Sequence, residues 1–280
     1  MGMDELWVCH LGTVEYGRAL ALQHAVCAAR QAGEVPDVML MLEHWPVYTR
    51  GRRAADGELP MGADFYRAQG IEIVDVDRGG RVTYHGPGQL VGYPIVSVDD
   101  VVGYVRTLER GLVEALALEG VAGARARPQD GPDYTGVWVG ERKIASIGVH
   151  VARGVTTHGF AVNVENNLEP FSWVVPCGLD GVRMTSLIAE TGRTPSVMKC
   201  FRRGAAYQVA CALGRRQRLV SAARLEAAVA AAGVDVAVAA AGVDVAVAAA
   251  GVDVAVAAAG VDVAVAAAGV EAAVGELTPA

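Results

Sequence analysis

Residues 230–274 are built from a nine-residue unit, AAAGVDVAV four times and then AAAGVEAAV once. This array sets the limits for everything else. A membrane span needs about 20 consecutive apolar residues, yet Asp235, Asp244, Asp253 and Asp262 leave only eight between successive carboxylates. Nine steps of about 100° turn a helix through half a circle, and an odd step reverses the face of a strand. Neither form gathers the Asp residues on one polar side, so amphipathic packing fails. The unit shares its Gly and Asp places with the calcium-binding nonapeptide, but Ala stands where that motif needs two further glycines. SAARLEAAV at 221–229 already resembles the last unit. The array reads as an expansion of a native helix end, which divides the chain into a domain-sized body at 1–229, a low-complexity tail at 230–274 and a short end at 275–280.

The 52% hydrophobic content is therefore inflated by the tail. The net charge of -7 is too: residues 1–218 carry 23 basic against 24 acidic side chains. A body so balanced does not track a phosphate backbone, so no nucleic-acid partner is expected. Five Cys, an odd number with no C-x-x-C pair, do not form a secreted disulfide framework. Asp4 and Glu5 precede only a short apolar patch, unlike a secretory signal. A cytoplasmic protein with free thiols and no membrane association is expected.

In the body, Val101, Val105, Leu108, Leu112 and Leu116 recur at helical spacing behind Asp99 and Asp100, which predicts a helix over 100–119. Residues 16–31 predict a second. Val197, Phe201, Ala205 and Val209 predict a third, ending near Gly214. The runs LWVCHL, DVMLMLEH, IEIVDV, QLVGYPIVSV, TGVWVGERKIASIGVHV and VTTHGFAVNV read as strands, several joined at Gly-containing turns. Regular strand-helix alternation is missing. The expected class is α+β, with a mixed, largely antiparallel sheet and flanking helices.

Three features carry chemistry. RGGRVTYHGPGQLVGY at 78–93 holds five glycines, which let a backbone approach a ligand and offer N–H donors to an anion or carbonyl. Two tight turns around a short strand would explain the same composition. It is neither a dinucleotide fingerprint nor a phosphate loop. Second, 22 of the 24 basic residues are Arg, leaving Lys143 and Lys199 as the only amines able to give and take a proton. Lys143 opens the run IASIGVHV, either aimed into a cleft or exposed on a hairpin. Third, Cys177 lies between Pro176 and Gly178, outside any helix interior, with a helix expected to start at Asp180 and run through Met184 and Leu187. A helix end and one ammonium would lower its thiol pKa. Cys9, Cys27, Cys200 and Cys211 are expected to be buried structural residues. His44, His85, His150 and His158 are further candidates, but no short ligand spacing joins them to Cys177, so no metal is expected.

Together, LEHWPVYTRG at 42–51, RGGRVTYHGPGQLVGYPI at 78–95, KIASIGVHV at 143–151, THGFAVNV at 157–164 and PCG at 176–178 resemble the lipoyl(octanoyl) transferases, over about residues 6–214. The resemblance implies the fold of the biotin/lipoate protein ligase catalytic domains. It implies octanoyl transfer from octanoyl-acyl carrier protein, through a cysteine thioester, to the lysine of lipoyl domains, with no cofactor. Carried over by position, Cys177 is the implied nucleophile and Lys143 its proton-shuttling partner. Arg78, Gly79, Gly80, Arg81, Val82, Thr83, Tyr84 and His85 are implied to line the acyl site with Ser146, Ile147, Gly148, Gly159, Phe160 and Ala161. The rival readings are an ATP-dependent lipoate or biotin ligase, which needs no thiol, a non-catalytic acyl-carrier-binding module, and a Cys-His hydrolase.

Overall fold

A computed structural model of the chain describes residues 4–175, 181–193 and 197–234. Strand β1 (Glu5–Val14) runs into helix α1 (Tyr16–Gln31), which fills the range read from its apolar spacing. Glu15 caps α1 by accepting from the N–H groups of Gly17 and Arg18, two donors that the first turn leaves open. Strand β2 (Asp37–His44) is buried at seven of its eight positions. Cover on both faces is what its unbroken apolar run requires.

The next elements form a side unit. Strand β3 (Val47–Arg50), helix α2 (Ala63–Ala68), and strands β4 (Glu72–Asp75) and β5 (Val82–His85) build a three-stranded sheet in which β3 pairs with β4 in parallel and with β5 in antiparallel. Tyr48, Tyr66, Tyr84 and Phe171 form its own small core.

The main sheet takes up strand β6 (Gln89–Ile95), helix α3 (Val101–Leu118) and strands β7 (Ala124–Ala126), β8 (Gly136–Val139), β9 (Arg142–Ala152) and β10 (Val155–Asn163). Strand β11 (Arg183–Met184), helices α4 (Leu187–Thr191) and α5 (Met198–Ala212), strand β12 (Arg216–Val220) and helix α6 (Ala222–Ala231) complete it. The strand order is β12-β1-β2-β6-β10-β9-β8-β7, with β11 on β9. Pairs along the centre are antiparallel, while β12, β1 and β2 run parallel. This is the mixed α+β sheet expected.

Helices cover both faces. Leu108, Leu112 and Leu116 of α3 meet Phe201, Ala205 and Val209 of α5 over Leu6, Met39 and Leu90. Gly111 permits that close approach, because a Cβ there would sit 2.9 Å from the Cα of Val209. On the other face α1 and α6 bring Ala25, Val26, Leu225 and Val229 onto Leu40, Leu42 and Val91.

Several expectations change. Residues 183–184 are a strand beside β9, and the helix after them starts only at Leu187, capped by Ser186 through the Ala189 N–H. The Asp180 proposed as its cap lies outside the described residues, as does Cys177. Strand pairing with Arg142 and Lys143 overrides the local helical spacing there. Cys9 and Cys27 are buried as expected, but Cys200 and Cys211 are exposed. They lie off the stripe of Phe201, Ala205 and Val209 that faces the core. Helix α6 runs two residues past the proposed boundary at 229, and the tail from 235 onward lies outside the described residues. No described helix is long and apolar enough to cross a membrane.

Candidate functional site

The glycine-rich run is not one irregular loop. Residues 78–81 form a turn, Val82–His85 is β5, and a second turn through Gly86 and Gly88 leads into β6. The first turn is bound on two sides. Its carbonyls accept from the chain after β3, Arg52 N–H to Arg78 O at 3.0 Å and Arg53 N–H to Gly80 O at 3.0 Å. The N–H of Gly79 donates to Val149 O on β9, also at 3.0 Å. That donor is therefore spent on the sheet, and what Gly79 supplies is close approach. The Arg78 guanidinium, buried, ties the turn to β3 by donating to Thr49 O at 2.8 Å and Thr49 Oγ1 at 2.7 Å.

Facing this turn are β9 and β10, whose antiparallel register sets Ser146 opposite Ala161, Ile147 opposite Phe160 and Gly148 opposite Gly159. The two trios named from sequence are thus neighbours across one ladder. Both glycines are required by crowding. A Cβ on Gly148 would lie 2.9 Å from Gly79 O, and one on Gly159 would run into Gly92 O of β6.

Lys143 opens β9 with only 2% of its surface exposed, so it is not a hairpin lysine in solvent. Its Nζ lies 5.2 Å from the Trp138 ring centroid, a distance at which the ring face attracts a cation. Gly136, at φ 132, leaves room for its stem, since a Cβ there would meet Lys143 Cε at 3.0 Å. Glu109 of α3, buried, holds this glycine by accepting its N–H at 3.0 Å.

These pieces line one half-open pocket with an interior volume of about 60 Å³. Every described residue that the resemblance assigned to the site lines it except Tyr84; of the further histidine candidates, His85 and His158 line it and His44 and His150 do not. Strand alternation turns the Tyr84 side chain into the core of the side unit against Tyr48 and Phe171. Sequence reasoning missed Tyr16 and Tyr93, which also line the cavity, and left His158 unassigned. Tyr16, at the start of α1, carries no motif, and only its place beside the sheet reveals it.

The floor is aromatic and imidazole-rich. The Tyr16 ring stacks on His85 at 6.2 Å and meets His44 at 4.9 Å. His44 bonds Val14 O at 2.9 Å and the Tyr93 hydroxyl at 2.7 Å, and burial pushes its imidazole down to about 4. His85 bonds Gln89 Oε1 at 2.7 Å, and its burial, helped by His44, likewise holds it well below the ordinary range. Both rings are neutral at pH 7, giving an uncharged floor opposite the buried Lys143 amine and the Arg78 guanidinium. Among the described residues, no group of three or more His, Cys, Asp or Glu side chains is placed to hold a metal ion.

The pocket wall sets the apolar side chains of Ile147 and Phe160 beside one buried amine, that of Lys143. The family model of the lipoyl protein ligase A/B catalytic domain matches residues 15–206. The chain is 45% identical over 196 residues to an octanoyltransferase of Acidothermus cellulolyticus, covering 67% of this chain and 83% of that one. It is 44% identical over 215 residues to an octanoyltransferase of Mycobacterium marinum, covering 73% and 86%. In fold it is similar to the bipartite lipoate protein ligase of Thermoplasma acidophilum, with a TM-score of 0.65 at 20% identity over 81% of this chain and 91% of that one. A lipoate-protein ligase A bound with ATP gives 0.64 at 20% identity, over 82% and 94%.

Proposed function

The chain belongs to the lipoyl protein ligase A/B catalytic-domain family and, within it, to the octanoyltransferases; on that premise we propose a two-step transfer in which Cys177 carries the octanoyl group as a thioester. The enzyme is an acyltransferase of protein lipoylation. In the proposed first step Lys143 takes the Cys177 Sγ proton, the thiolate attacks the thioester of octanoyl-acyl carrier protein, and Lys143 returns the proton to the departing carrier thiol. In the second step the lysine of a lipoyl domain attacks and Cys177 leaves. The octanoyl chain lies along Ile147, Phe160 and the aromatic floor, with the 78–80 turn closing over it. The reading sets the enzyme in the cytoplasm, where its thiols stay reduced.

One observation carries this: a buried amine and a glycine-walled apolar cavity are met by both flanks of residues 176–180. On one side the Val175 N–H donates to Glu58 O at 3.0 Å, and the Glu58 carboxylate accepts from Arg81 and from the Val82 N–H in the cavity wall. On the other side Met184 is the strand partner of Lys143.

Intact mass after incubation with octanoyl-carrier protein tests the reading. The unaltered enzyme is expected to gain one octanoyl group without ATP, and Cys177→Ala to gain none. An undiminished increment in Cys177→Ala overturns it. The tail is proposed to be dispensable: deletion of residues 235–274 is expected to leave steady-state transfer within about threefold, below roughly 0.7 kcal/mol of barrier. A loss beyond about tenfold in a protein still folded by circular dichroism would assign the array a role.

A further inference from the structure

Lys143 does not close the proton count of the two-step reading, on which this inference rests. The acceptor lysine enters as an ammonium, with an ordinary pKa of about 10.4, and must lose two protons to become an amide. One passes to the Lys143 amine, which gave its proton to the carrier thiol in the first step, and from there to the Cys177 sulfur as the C–S bond breaks. The other stays on the attacking nitrogen when the N–C bond forms, and it needs a second acceptor with a way out.

We propose that His158, oriented by Asp77, accepts this proton and passes it outward past His150. His158 lies on β10 in the cavity wall and is 1% exposed. Its Nε2 is 2.6 Å from Asp77 Oδ1, which fixes that nitrogen as the donor to a carboxylate. Its Nδ1 is fully buried and has no hydrogen-bond partner among the described residues. A buried polar atom of this kind is costly unless something occupies it during function. The backbone is unusual as well: φ is 57, in the left-handed region, where Arg153 is the only other non-glycine residue among those described. Such a conformation persists only where the surroundings enforce it. Here the His158 N–H is held by Gln23 Oε1 at 2.8 Å, and the ring by Asp77 and by an edge contact to Tyr93.

Asp77 is faced by imidazoles from three elements: His158 of β10, His150 of β9 and His24 of α1. Burial opposes its ionisation, but the His158 hydrogen bond and the charges of His158, His150 and His24 outweigh it, and the carboxyl stays well below the usual range. It therefore remains a carboxylate able to stabilise an imidazolium at His158, the arrangement by which an acid orients a histidine base. His150 Nε2 lies 3.6 Å from the other oxygen of Asp77, and its side chain is 25% exposed, so it opens the pair to water. In the balanced step the N–C bond forms, the C–S bond breaks, Lys143 protonates Sγ, and the nitrogen proton moves to His158 Nδ1 and then to solvent.

His158→Gly is the decisive variant, since glycine accepts φ 57 and leaves space for a small base. The acyl-enzyme is formed with octanoyl-carrier protein, freed of donor by gel filtration and mixed with an unmodified lipoyl domain, each step followed by intact mass. Acyl-enzyme formation is expected to slow no more than about fivefold, and transfer to the lipoyl domain by about 10²-fold, within the usual span for a lost general base. Added imidazole should restore transfer at least about tenfold, whereas pyrazole, of the same shape but a far weaker base, should not. Equal loss in both steps, or equal rescue by pyrazole, would make His158 a wall residue and overturn the proposal. Undiminished transfer overturns it too. If His158→Gly does not fold, Asp77→Asn decides: it keeps the size and a hydrogen-bond acceptor but removes the charge, and unslowed transfer there sinks the idea. Absence of any acyl-enzyme in the unaltered protein removes the thioester reading and this inference with it.

Discussion

Lys143→Arg is expected to lower single-turnover acylation by octanoyl-carrier protein about 10³-fold, roughly 4 kcal/mol of barrier. The substitution keeps a positive charge, so it separates two roles. A fixed guanidinium can hold a thiolate, but it cannot take the thiol proton and hand it to the departing carrier sulfur. The site also has little space for the larger head, because the lysine stem is hemmed in by Gly136 and the Trp138 ring and is almost fully buried. Lys143→Met, which removes charge and proton transfer together, should be at least as slow. If Lys143→Arg acylates within about tenfold of the unaltered rate, Lys143 serves only as a charge.

Gly51→Ala is expected to reduce acyl transfer about 10²-fold although residue 51 lies outside the 78–93 run. A Cβ at this position would stand 2.5 Å from Gly80 O and 2.8 Å from the Arg78 Nη1 atom. Closed-shell contacts at that distance cannot be held, so the 78–80 turn must move off β3 and with it one wall of the cavity. Misplacement by about 1 Å is enough for a loss of this size. The control is Gly57→Ala in the same connecting segment. Its Cβ would meet nothing within 4 Å, and the rate should stay within about twofold. An undisturbed rate in Gly51→Ala would show that the turn tolerates displacement. A loss matched by a collapse in melting temperature would show that the damage is to the fold.

The parts of this molecule that were legible in sequence are those whose pattern is local. The α1 range, the Asp100 cap of α3 and the strand DVMLMLEH all follow from spacing and burial along one element. The helical stripe of α5 also excluded Cys200 and Cys211 from the core, but a general expectation about cysteine overrode that signal. Residues 183–184 could not be read locally, since their strand exists only because β9 lies alongside. The cavity was legible through its glycines and its lysine, which are compositional outliers. Tyr16 is an ordinary residue in an ordinary segment that only packing brings to His85, while Asp77 and Tyr93 stand at the two ends of the glycine-rich run and meet His158 only through the sheet order. The difference between Thr83 and Tyr84, adjacent in sequence but on opposite faces of β5, is one of strand register.

The parallel pair of β12 with β1 bears on how the protein comes to exist at all. Glu5 is registered with Arg216 and Cys9 with Val220, so the outer edge of the first strand waits for the last strand of the described body. Closing so long a loop costs chain entropy before the pairing rewards it, and such non-local pairings slow folding. During synthesis from the N-terminus, LWVCHL presents an open row of backbone donors and acceptors until residues 216–220 emerge. An unpaired apolar edge of this kind is a template for association between chains. Nascent or truncated chains ending before Arg216 would already hold most of the cavity. They would be lost to aggregation before chemistry could be measured, so chaperone demand should depend on the length of the chain made rather than on the integrity of its site.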